Sequence, residues 1–275
     1  MSHRHGCQDA VKSDANDKVF MEEEFAQSRI PSKQKEKMLV LIREGESLNS
    51  ITRETGLPKT TIYYYFRKIK GRTHSIADFT SGYSKEDGEI AGIFAGDGSQ
   101  TKGKKCNYCV NIHFGETDYI FYVKDLYEKY FNKEFRLAKY KNGTPKLVTH
   151  SKKIFYHFHK YLDYVPSSKH CTVKLKMSNL TDEFLVGFLK GFLDTDGTIA
   201  FPKDRKIRVG YFTTSEELSK QLELILNKFN IGCGRYVNSR KGYKDIYQLF
   251  IYADAVDSFL NLVKPYKIRR LGPVW

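Results

Sequence analysis

The strongest constraint on the fold is a helical pattern of small residues that occurs twice, each time ending in an Asp. Aligning Asp97 with Asp196 brings glycines nine and five positions earlier into register. The glycines that match are Gly88 and Gly92 in the first copy and Gly187 and Gly191 in the second. Small residues four apart line one side of a helix and let a second backbone approach very closely. Two such helices, packed stripe against stripe, would end side by side and bring two carboxylates together.

The residues at the helix ends predict a metal site. Gly98 and Gly197 follow the two Asp residues, and we expect each glycine to end its helix in the left-handed conformation. A carboxylate at a helix C-terminus is disfavoured, because the negative end of the helix dipole lies there. A divalent cation would relieve the repulsion, and carboxylate and carbonyl oxygens favour Mg²⁺.

Both copies resemble the name-giving nonapeptide of the LAGLIDADG homing endonucleases, in their two-motif, single-chain form. The matching segments are Ile90–Gly98 and Leu189–Gly197, and the resemblance extends over about residues 84–270. It implies a site-specific DNA endonuclease that makes metal-dependent double-strand breaks in a long, pseudo-palindromic duplex. The cofactor that it implies is Mg²⁺, with Mn²⁺ as a substitute.

The resemblance also implies how the metal is held. The metal-binding acid is the second Asp of each motif, Asp97 and Asp196, and the carbonyl just before it adds a ligand, here from Gly96 and Thr195. The first acid of the motif is Asp194 in the second copy. In the first copy its place is taken by Ala, which costs little because the family does not carry its essential acid there.

A basic residue near each metal is a further implication of the resemblance. Aligning the ends of the two halves places Lys169 and Lys267 at nearly equal distances after their acids, and we assign both to catalysis. The rival lysines are Lys174, Lys176 and Lys264. A polar residue just after the motif, such as Gln100, is expected to position water.

Beyond the motif, each half repeats the order helix, two strands, helix, two strands, helix. This predicts an α+β fold of two pseudo-symmetric αββαββα repeats, over residues 84–177 and 178–275. Ser84 and Thr181 are expected to cap the motif helices. Phe114 and Phe212 follow their acids at almost the same distance and extend the alignment. Pseudo-twofold symmetry fits a pseudo-palindromic duplex.

The N-terminal part predicts a small all-α domain. Residues 1–30 are expected to be a disordered tail with a short helix near its end, 31–70 a helix-turn-helix domain and 71–83 a linker. In the helix-turn-helix, we expect Ser32 and Ser47 to cap the first two helices.

The third helix of this domain would begin at Lys59 and enter the major groove, with Ile62, Phe66 and Ile69 facing inward. The side chains expected to face DNA are Lys59, Thr60, Thr61, Tyr63 and Arg67. The alternative is a three-helix bundle used for protein contact.

The four strands of each half predict a curved antiparallel sheet lying along the major groove, with alternate side chains facing DNA. The DNA-facing candidates are Lys104, Asn111, His113, Arg136 and Lys139 in the first half and Arg205, Arg208, Arg235 and Arg240 in the second. The sequence does not divide them between bases and phosphates.

Composition agrees with a nucleic-acid partner and a reducing compartment. The net charge of +14 over 275 residues favours a polyanion. The five cysteines are scattered, no signal peptide is evident and no apolar run is long enough to span a membrane. The Cys106-x-x-Cys109 pair has no second half, which disfavours zinc. We expect an unsecreted monomer, cytoplasmic or nucleoid-associated in a prokaryote and organellar otherwise.

Other functions stay open at this point. A non-cleaving DNA-binding regulator or an RNA-binding intron maturase, with structured intron RNA as its partner, could use the same fold. The presence of both acids favours cleavage. An intein is disfavoured, because the chain neither begins with a splicing Cys or Ser block nor ends in His-Asn.

Overall fold

Two units of the chain, Met1–His74 and Ser75–Trp275, each pack on themselves. The computed structural model describes residues 30–70, 77–103, 107–115, 117–139, 143–201 and 207–271. The expected N-terminal tail and its short helix lie outside these residues, as does Cys106. None of the described helices has the length and apolar character needed to cross a bilayer.

The first unit is a three-helix domain with its own small core. Its helices are α1 (Ser32–Glu44), α2 (Leu48–Thr55) and α3 (Lys59–Lys70). Gly45 and Gly56 end the first two helices in the left-handed conformation, with φ angles of 87° and 70°. Ser47 caps α2 by accepting a hydrogen bond from the Ser50 amide at 3.1 Å. The buried side chains are Met38, Ile42, Ile51, Leu57, Ile62 and Tyr65.

Two details of this domain differ from the sequence prediction. Ser32 is the first helical residue of α1 rather than its cap, because Pro31 occupies the capping position. Ile69 is 39% exposed, and Tyr65 is buried in its place. Tyr65 lies one turn after Ile62 and still faces α1, whereas Ile69 lies in the last turn of α3.

The second unit contains the two predicted αββαββα repeats. The first repeat runs α4 (Lys85–Asp97), β1 (Gly98–Gly103), β2 (Asn107–His113), α5 (Thr117–Phe131), β3 (Arg136–Lys139), β4 (Pro145–His150) and α6 (Lys152–Tyr161). A short connection follows, with β5 (Leu162–Asp163), α7 (Lys169–Thr172) and β6 (Lys174–Leu175). The second repeat runs α8 (Asp182–Asp196), β7 (Gly197–Ala200), β8 (Arg208–Thr213), α9 (Glu216–Lys228), β9 (Cys233–Asn238), β10 (Ile246–Ile251) and α10 (Val256–Val263), and a 3₁₀ turn follows (Tyr266–Leu271).

Each repeat forms one antiparallel sheet that is covered by helices on one face. The strand orders are β1-β2-β4-β3 and β7-β8-β10-β9, so the topology is the same in both. Alternate residues such as Val110 and Leu147, or Tyr211 and Leu249, point into the core. The opposite face, here called the open face, carries Ser99, Asn111, His113, Arg136, Lys146 and Val148 in the first sheet and Thr198, Arg208, Phe212, Tyr236, Gln248 and Phe250 in the second.

The strand register corrects the alignment of the repeats. Gly98 pairs with Ile112, and Gly197 pairs with Tyr211. The counterpart of Phe212 is therefore His113, and the match of Phe212 with Phe114 was wrong by one residue. A shift of one residue moves a side chain to the other face of a sheet, which explains why Phe114 is buried in the core while Phe212 lies on the open face.

Helices α4 and α8 pack through direct contact of their backbones. A Cβ built on Gly88 would lie 2.8 Å from the carbonyl carbon of Phe184, and one built on Gly191 would lie 2.8 Å from the Ile93 nitrogen. Gly92 and Gly187 are equally crowded. All four glycines of the sequence pattern thus lie in the contact. Ser84 and Thr181 cap the two helices as predicted.

The glycines after the two acids are not left-handed, as the sequence had suggested. Gly98 has a φ angle of −79° and Gly197 one of −99°, so each starts a strand in extended backbone. A Cβ on Gly98 would lie 2.6 Å from the Phe94 Cγ atom, and one on Gly197 would lie 2.6 Å from the Leu193 carbonyl oxygen. Lack of space against the preceding helical turn explains both glycines.

The predicted linker over 71–83 is shorter at its C-terminal end. Residues 77–83 belong to the first repeat, since Ala77 is 3% exposed within its core. The Asp78 amide donates to the Phe131 carbonyl at 3.1 Å, and the Phe79 ring packs edge-on against Phe131. The linker was predicted from its Gly and Ser residues, and that pattern does not show that Ala77 and Phe79 are buried or packed against the first repeat.

We expect Gly191→Ala to destabilise the second unit by more than about 2 kcal/mol, because the added methyl group would force α4 and α8 apart. In an ordinary helix the same change would stabilise. Chemical unfolding monitored by circular dichroism measures the effect. Gly115→Ala is the control, since nothing lies within 4 Å of a Cβ there. Equal stability of the Gly191→Ala variant and wild type would contradict the backbone contact.

His157 gives the second unit a pH-dependent stability. Its ring packs against the Phe79, Phe131 and Tyr161 rings at centroid distances of 5.1, 5.1 and 5.2 Å. Nδ1 lies 3.0 Å from the Ser81 hydroxyl, and among the described residues Nε2 has no partner. Burial lowers the pKa of His157 to about 4, against the attraction of Asp87 and with Lys160 and Lys153 adding to the lowering.

Because the unfolded chain takes up this proton near pH 6.5 and the folded chain only near pH 4, stability is present above pH 6.5 and is lost as the pH falls. We expect the free energy of unfolding to drop by about 2 kcal/mol between pH 7 and 5 from this residue. Urea unfolding of wild type and His157→Phe at both pH values measures the difference. A drop of the same size in His157→Phe would refute the assignment.

Candidate active site at the paired helix ends

Two carboxylates meet where α4 and α8 end. Asp97 and Asp196 are the last residues of the two helices. A Cβ built on Gly96 would lie 3.3 Å from the Asp196 carboxyl carbon and 2.7 Å from the Thr195 Cβ. The close backbone contact of the helices therefore continues to their last turn and places the two acids side by side.

Each of the two helix ends has a lysine that is supplied by its own repeat. The Lys169 ammonium, at the start of α7, donates to the carbonyls of Phe94 and Gly96 at 2.9 Å each, and also to that of Ala95. They lie in the last turn of α4, where carbonyls run out of helical amide partners, although the Phe94 carbonyl also accepts a hydrogen bond from the Gly98 amide.

Lys267, in the 3₁₀ turn after α10, does the same for α8. Its ammonium donates to the carbonyls of Leu193, Thr195 and Gly197 at 3.1, 3.2 and 2.6 Å. A cation at a helix C-terminus offsets the negative end of the dipole. The structure thus brings both sequence-assigned lysines to the acids. The rival Lys174 instead forms an ion pair with Asp163 at 3.5 Å on the surface.

Burial and mutual repulsion set the electrostatics of the four groups. Burial, followed by the charge of Asp196, raises the pKa of Asp97 to about 7, although both lysines oppose the rise. Burial also raises the pKa of Asp196. Burial lowers the pKa of Lys169 to about 8 and lowers that of Lys267, against the attraction of the acids. Additional positive charge at this position would therefore stabilise the ionised acids.

The oxygen atoms at the helix ends suit a hard divalent cation. The described residues contain no group of three or more His, Cys, Asp or Glu side chains arranged for a metal, so the two carboxylates would bind with the carbonyls of Gly96 and Thr195. Those carbonyls already accept hydrogen bonds from the lysines, but a carbonyl oxygen has two lone pairs. Two carboxylates together with carbonyl oxygens match the ligand preference of a hard divalent cation.

Asp194 is a residue of this site whose role the sequence did not predict. It is 3% exposed and accepts hydrogen bonds from the backbone amides of Tyr266 and Lys267 at 2.8 and 2.9 Å. Burial raises the pKa of Asp194 to about 6, against these bonds. The first acid of the motif thus holds the segment that carries Lys267. The signal in the sequence was the difference between the two copies: the second motif has Asp194 at a position where the first motif has Ala95.

The surroundings of the two acids differ. In the first repeat, the Ser99 hydroxyl lies 2.8 Å from His113 Nε2, and burial lowers the pKa of His113. Phe212 takes the place of His113 in the second repeat. Gln100 is buried and does not face the acids: its amide donates to the Phe155 carbonyl at 2.6 Å and its oxygen accepts from the Tyr164 hydroxyl at 2.6 Å. The expectation that Gln100 positions water was wrong, because Gln100 lies on the covered face.

The DNA-facing candidates divide by the face of the sheet. His113, Arg136 and Arg208 lie on the open face, as does Asn111, which is only 7% exposed. Arg235 lies on the covered face, where its Nε donates to Glu223 of α9 at 3.1 Å, and its assignment to DNA was wrong.

Register also decides Lys139, which shares the parity of the covered-face residue Leu137 and not that of Arg136. Arg240 is exposed after β9. Lys104 and Arg205 lie outside the described residues. On α3, the exposed candidates are Lys59, Thr60, Tyr63 and Arg67, and Thr61 is half-buried.

Known proteins share this architecture. Residues 183–264 match the LAGLIDADG-like domain family. A structure of mesophilic variants of the homing endonuclease I-DmoI has a TM-score of 0.52 and 17% sequence identity, over 66% of this chain and 96% of that chain. I-DmoI in complex with DNA and Mn gives the same score and identity, over 66% and 97%. The complex with DNA and Ca has 16% identity and a TM-score of 0.52, over 66% and 91%. No curated protein matches the chain.

Duplicated motif helices, matched sheets and a family match within the second repeat lead to one assignment. Residues 183–264 match the LAGLIDADG-like domain family, and the second unit has the fold of the homing endonuclease I-DmoI.

Proposed function

We propose that the protein is a site-specific DNA endonuclease that makes Mg²⁺-dependent double-strand breaks, with Mn²⁺ as a substitute. One observation carries the proposal: two acids, Asp97 half-buried and Asp196 exposed, lie side by side at matched helix ends, and a lysine from each repeat binds the last carbonyls of its own helix. Cutting both strands of a duplex requires two attacked phosphates, and the pseudo-twofold arrangement supplies two equivalent sets of groups.

The acids, the lysines and Asp194 have different tasks in phosphodiester hydrolysis. Asp97 and Asp196, with the Gly96 and Thr195 carbonyls, would hold divalent cations, which supply an activated water and neutralise charge on the phosphoryl group. Lys169 and Lys267 place fixed positive charge beside the acids, where negative charge develops on the phosphate oxygens. Asp194 holds the backbone of Lys267, so its ammonium group is positioned before substrate arrives.

The open faces of the two sheets supply the binding surface for duplex DNA. Two antiparallel sheets related by a pseudo-twofold fit successive major-groove segments of a pseudo-palindromic site. The net charge of +14 favours this partner, and I-DmoI with the same fold is described in complex with DNA. The three-helix domain would extend the contact through the exposed side chains of α3, and a single chain would act as a monomer.

We expect Asp97→Asn and Asp196→Asn each to abolish double-strand cleavage, with at least about a 100-fold loss in rate. Each substitution removes a carboxylate charge that would hold the cations stabilising the transition state of one strand's cleavage. The measurement is cleavage of a randomised duplex library with Mg²⁺, followed by sequencing of the ends. Asp254→Asn, at an exposed position, is the control and should cut like wild type.

Loss of cleavage with retained sequence-specific binding in both variants supports the proposal. Sequence-specific binding by wild type without any cutting would replace it with a DNA-binding regulator. Selective binding of structured RNA in place of duplex DNA would replace it with a maturase.

We expect Lys169→Met and Lys267→Met to slow opposite strands, by about 100-fold each, so that nicked duplex accumulates. The reason is that each lysine donates its described hydrogen bonds to the helix end of its own repeat. Denaturing gels with each strand labelled separately measure the two rates. Lys174→Met is the matched control, because that lysine pairs with Asp163 on the surface. Equal slowing of both strands by either variant would argue against one lysine per strand.

A further inference from the structure

The two open faces have different chemistry at equivalent positions. The strand registers superimpose the sheets residue by residue. The pairs, first sheet before second, are His113 and Phe212, Lys146 and Gln248, Val148 and Phe250, Arg136 and Gly234, Ala138 and Tyr236. The first open face is basic in this region, whereas the second is aromatic.

The aromatic side chains of the second face form one cluster, here called the aromatic patch: Phe212, Tyr236 and Phe250. The Phe212 and Phe250 rings are perpendicular at 5.8 Å, and the Tyr236 ring lies 6.3 Å from that of Phe250. Tyr236 is 57% exposed. Phe212 and Phe250 are half-buried. An aromatic cluster that stays open to solvent on one surface of a domain marks a contact surface.

Glycines make room for this patch. A Cβ on Gly210 would lie 2.8 Å from the Phe250 ring, and one on Gly234 would lie 2.9 Å from the Tyr236 hydroxyl. The first sheet has Asn111 and Arg136 at these two positions, so there the same area is filled by polar side chains. The Phe250 and Tyr236 rings therefore extend over strand positions that have no side chain. Both rings line an apolar cleft together with Arg208 and Tyr252.

Position and charge favour DNA over another protein as the partner of the patch. The strand β7 that leads away from Asp196 pairs with β8, and Thr198 lies opposite Gly210 at the edge of the patch. Arg208 lies on the same face. A surface next to the candidate active site, in a chain of net charge +14, meets the same duplex that the basic face meets. The apolar group that the major groove offers is the thymine methyl.

We propose that the two half-sites are recognised by different chemistry: the first repeat contacts its half-site through charge and hydrogen bonds, and the second repeat contacts thymine methyl groups through the aromatic patch. This inference rests on the proposed DNA-binding function. It specifies an asymmetric site, in which the half bound by the second repeat contains thymines that cannot be replaced without loss.

Removal of single methyl groups tests the inference directly. The Asp97→Asn, Asp196→Asn double variant is used so that the duplex is not cut, and its site is selected from a randomised library. Thymines are then replaced by deoxyuridine in one half-site at a time, and binding is measured by fluorescence anisotropy. We expect one half-site to lose about fourfold in affinity per contacted methyl group and the other to change by less than about twofold.

Variants of matched positions assign the effect. In the same background, Tyr236→Ser should reduce the deoxyuridine penalty and leave the salt dependence of binding unchanged, and Tyr236→Phe should retain the penalty. Arg136→Ala should retain the penalty and reduce the slope of log affinity against log salt by about one, if it contacts a phosphate, or relax one base preference, if it contacts a base.

Three results would overturn the inference. Equal deoxyuridine penalties in both half-sites, or none in either, would show that the two repeats do not differ in this way. A Tyr236→Ser variant that weakens binding of both duplexes by the same factor, and so keeps the full deoxyuridine penalty, would show that the patch acts without methyl groups. Sedimentation that reveals a dimer in wild type and a monomer in Tyr236→Ser would assign the patch to a second copy. Absence of any sequence-specific binding would remove the proposed function itself.

Discussion

The backbone contact of α4 and α8 is the constraint on which the second unit depends. Four glycines let the helices approach until any added Cβ would collide with a neighbouring main chain. Since the helices are in register, they end together, and both acids arrive at one place with the last carbonyls of both helices. The negative charge gathered there accounts for the two lysines that bind the carbonyls. Burial raises the pKa of each acid, and the charge of Asp196 adds to the rise at Asp97.

The two repeats share a backbone but not their side chains. Topology and register repeat closely, whereas the side chains at equivalent positions differ. Ala95 in the first repeat corresponds to Asp194 in the second, and His113 corresponds to Phe212. A buried ion pair also joins the motif helices on one side only, between Glu89 and Lys190 at 2.8 Å, with the Tyr122 hydroxyl donating to the same carboxylate. Under the proposed function, backbone symmetry would serve two equivalent reactions, and side-chain asymmetry would let each repeat adapt to its own half of the substrate.

Features that follow from local or periodic rules could be predicted from the sequence. The glycine stripe, the caps at Ser84 and Thr181 and the order of elements depend on spacing along the chain. Even Lys169 and Lys267 could be found, because internal repetition aligns distant positions. The same residues show what periodicity cannot predict. The position of Lys169 could be aligned, but the short helix α7 that carries it has no periodic pattern in the sequence.

Features that depend on the face of a strand or on distant partners could not be predicted. Arg235 and Gln100 point away from the open face, and a single-residue error in register suffices to reverse such an assignment. Asp194 binds amides more than seventy positions away, and no local pattern announces such a partner.

The unequal pair at the helix ends has a consequence for how the halves combine. Thr195 fills the space that Gly96 leaves, with only 2.7 Å between its Cβ and a Cβ placed on that glycine. A dimer of two second repeats would place two threonines opposite each other, at a position where the structure has space only for a glycine on one side. If the chain were divided between α7 and α8, the two different repeats would associate with each other in preference to forming dimers of identical repeats. The two halves are therefore complementary and no longer interchangeable.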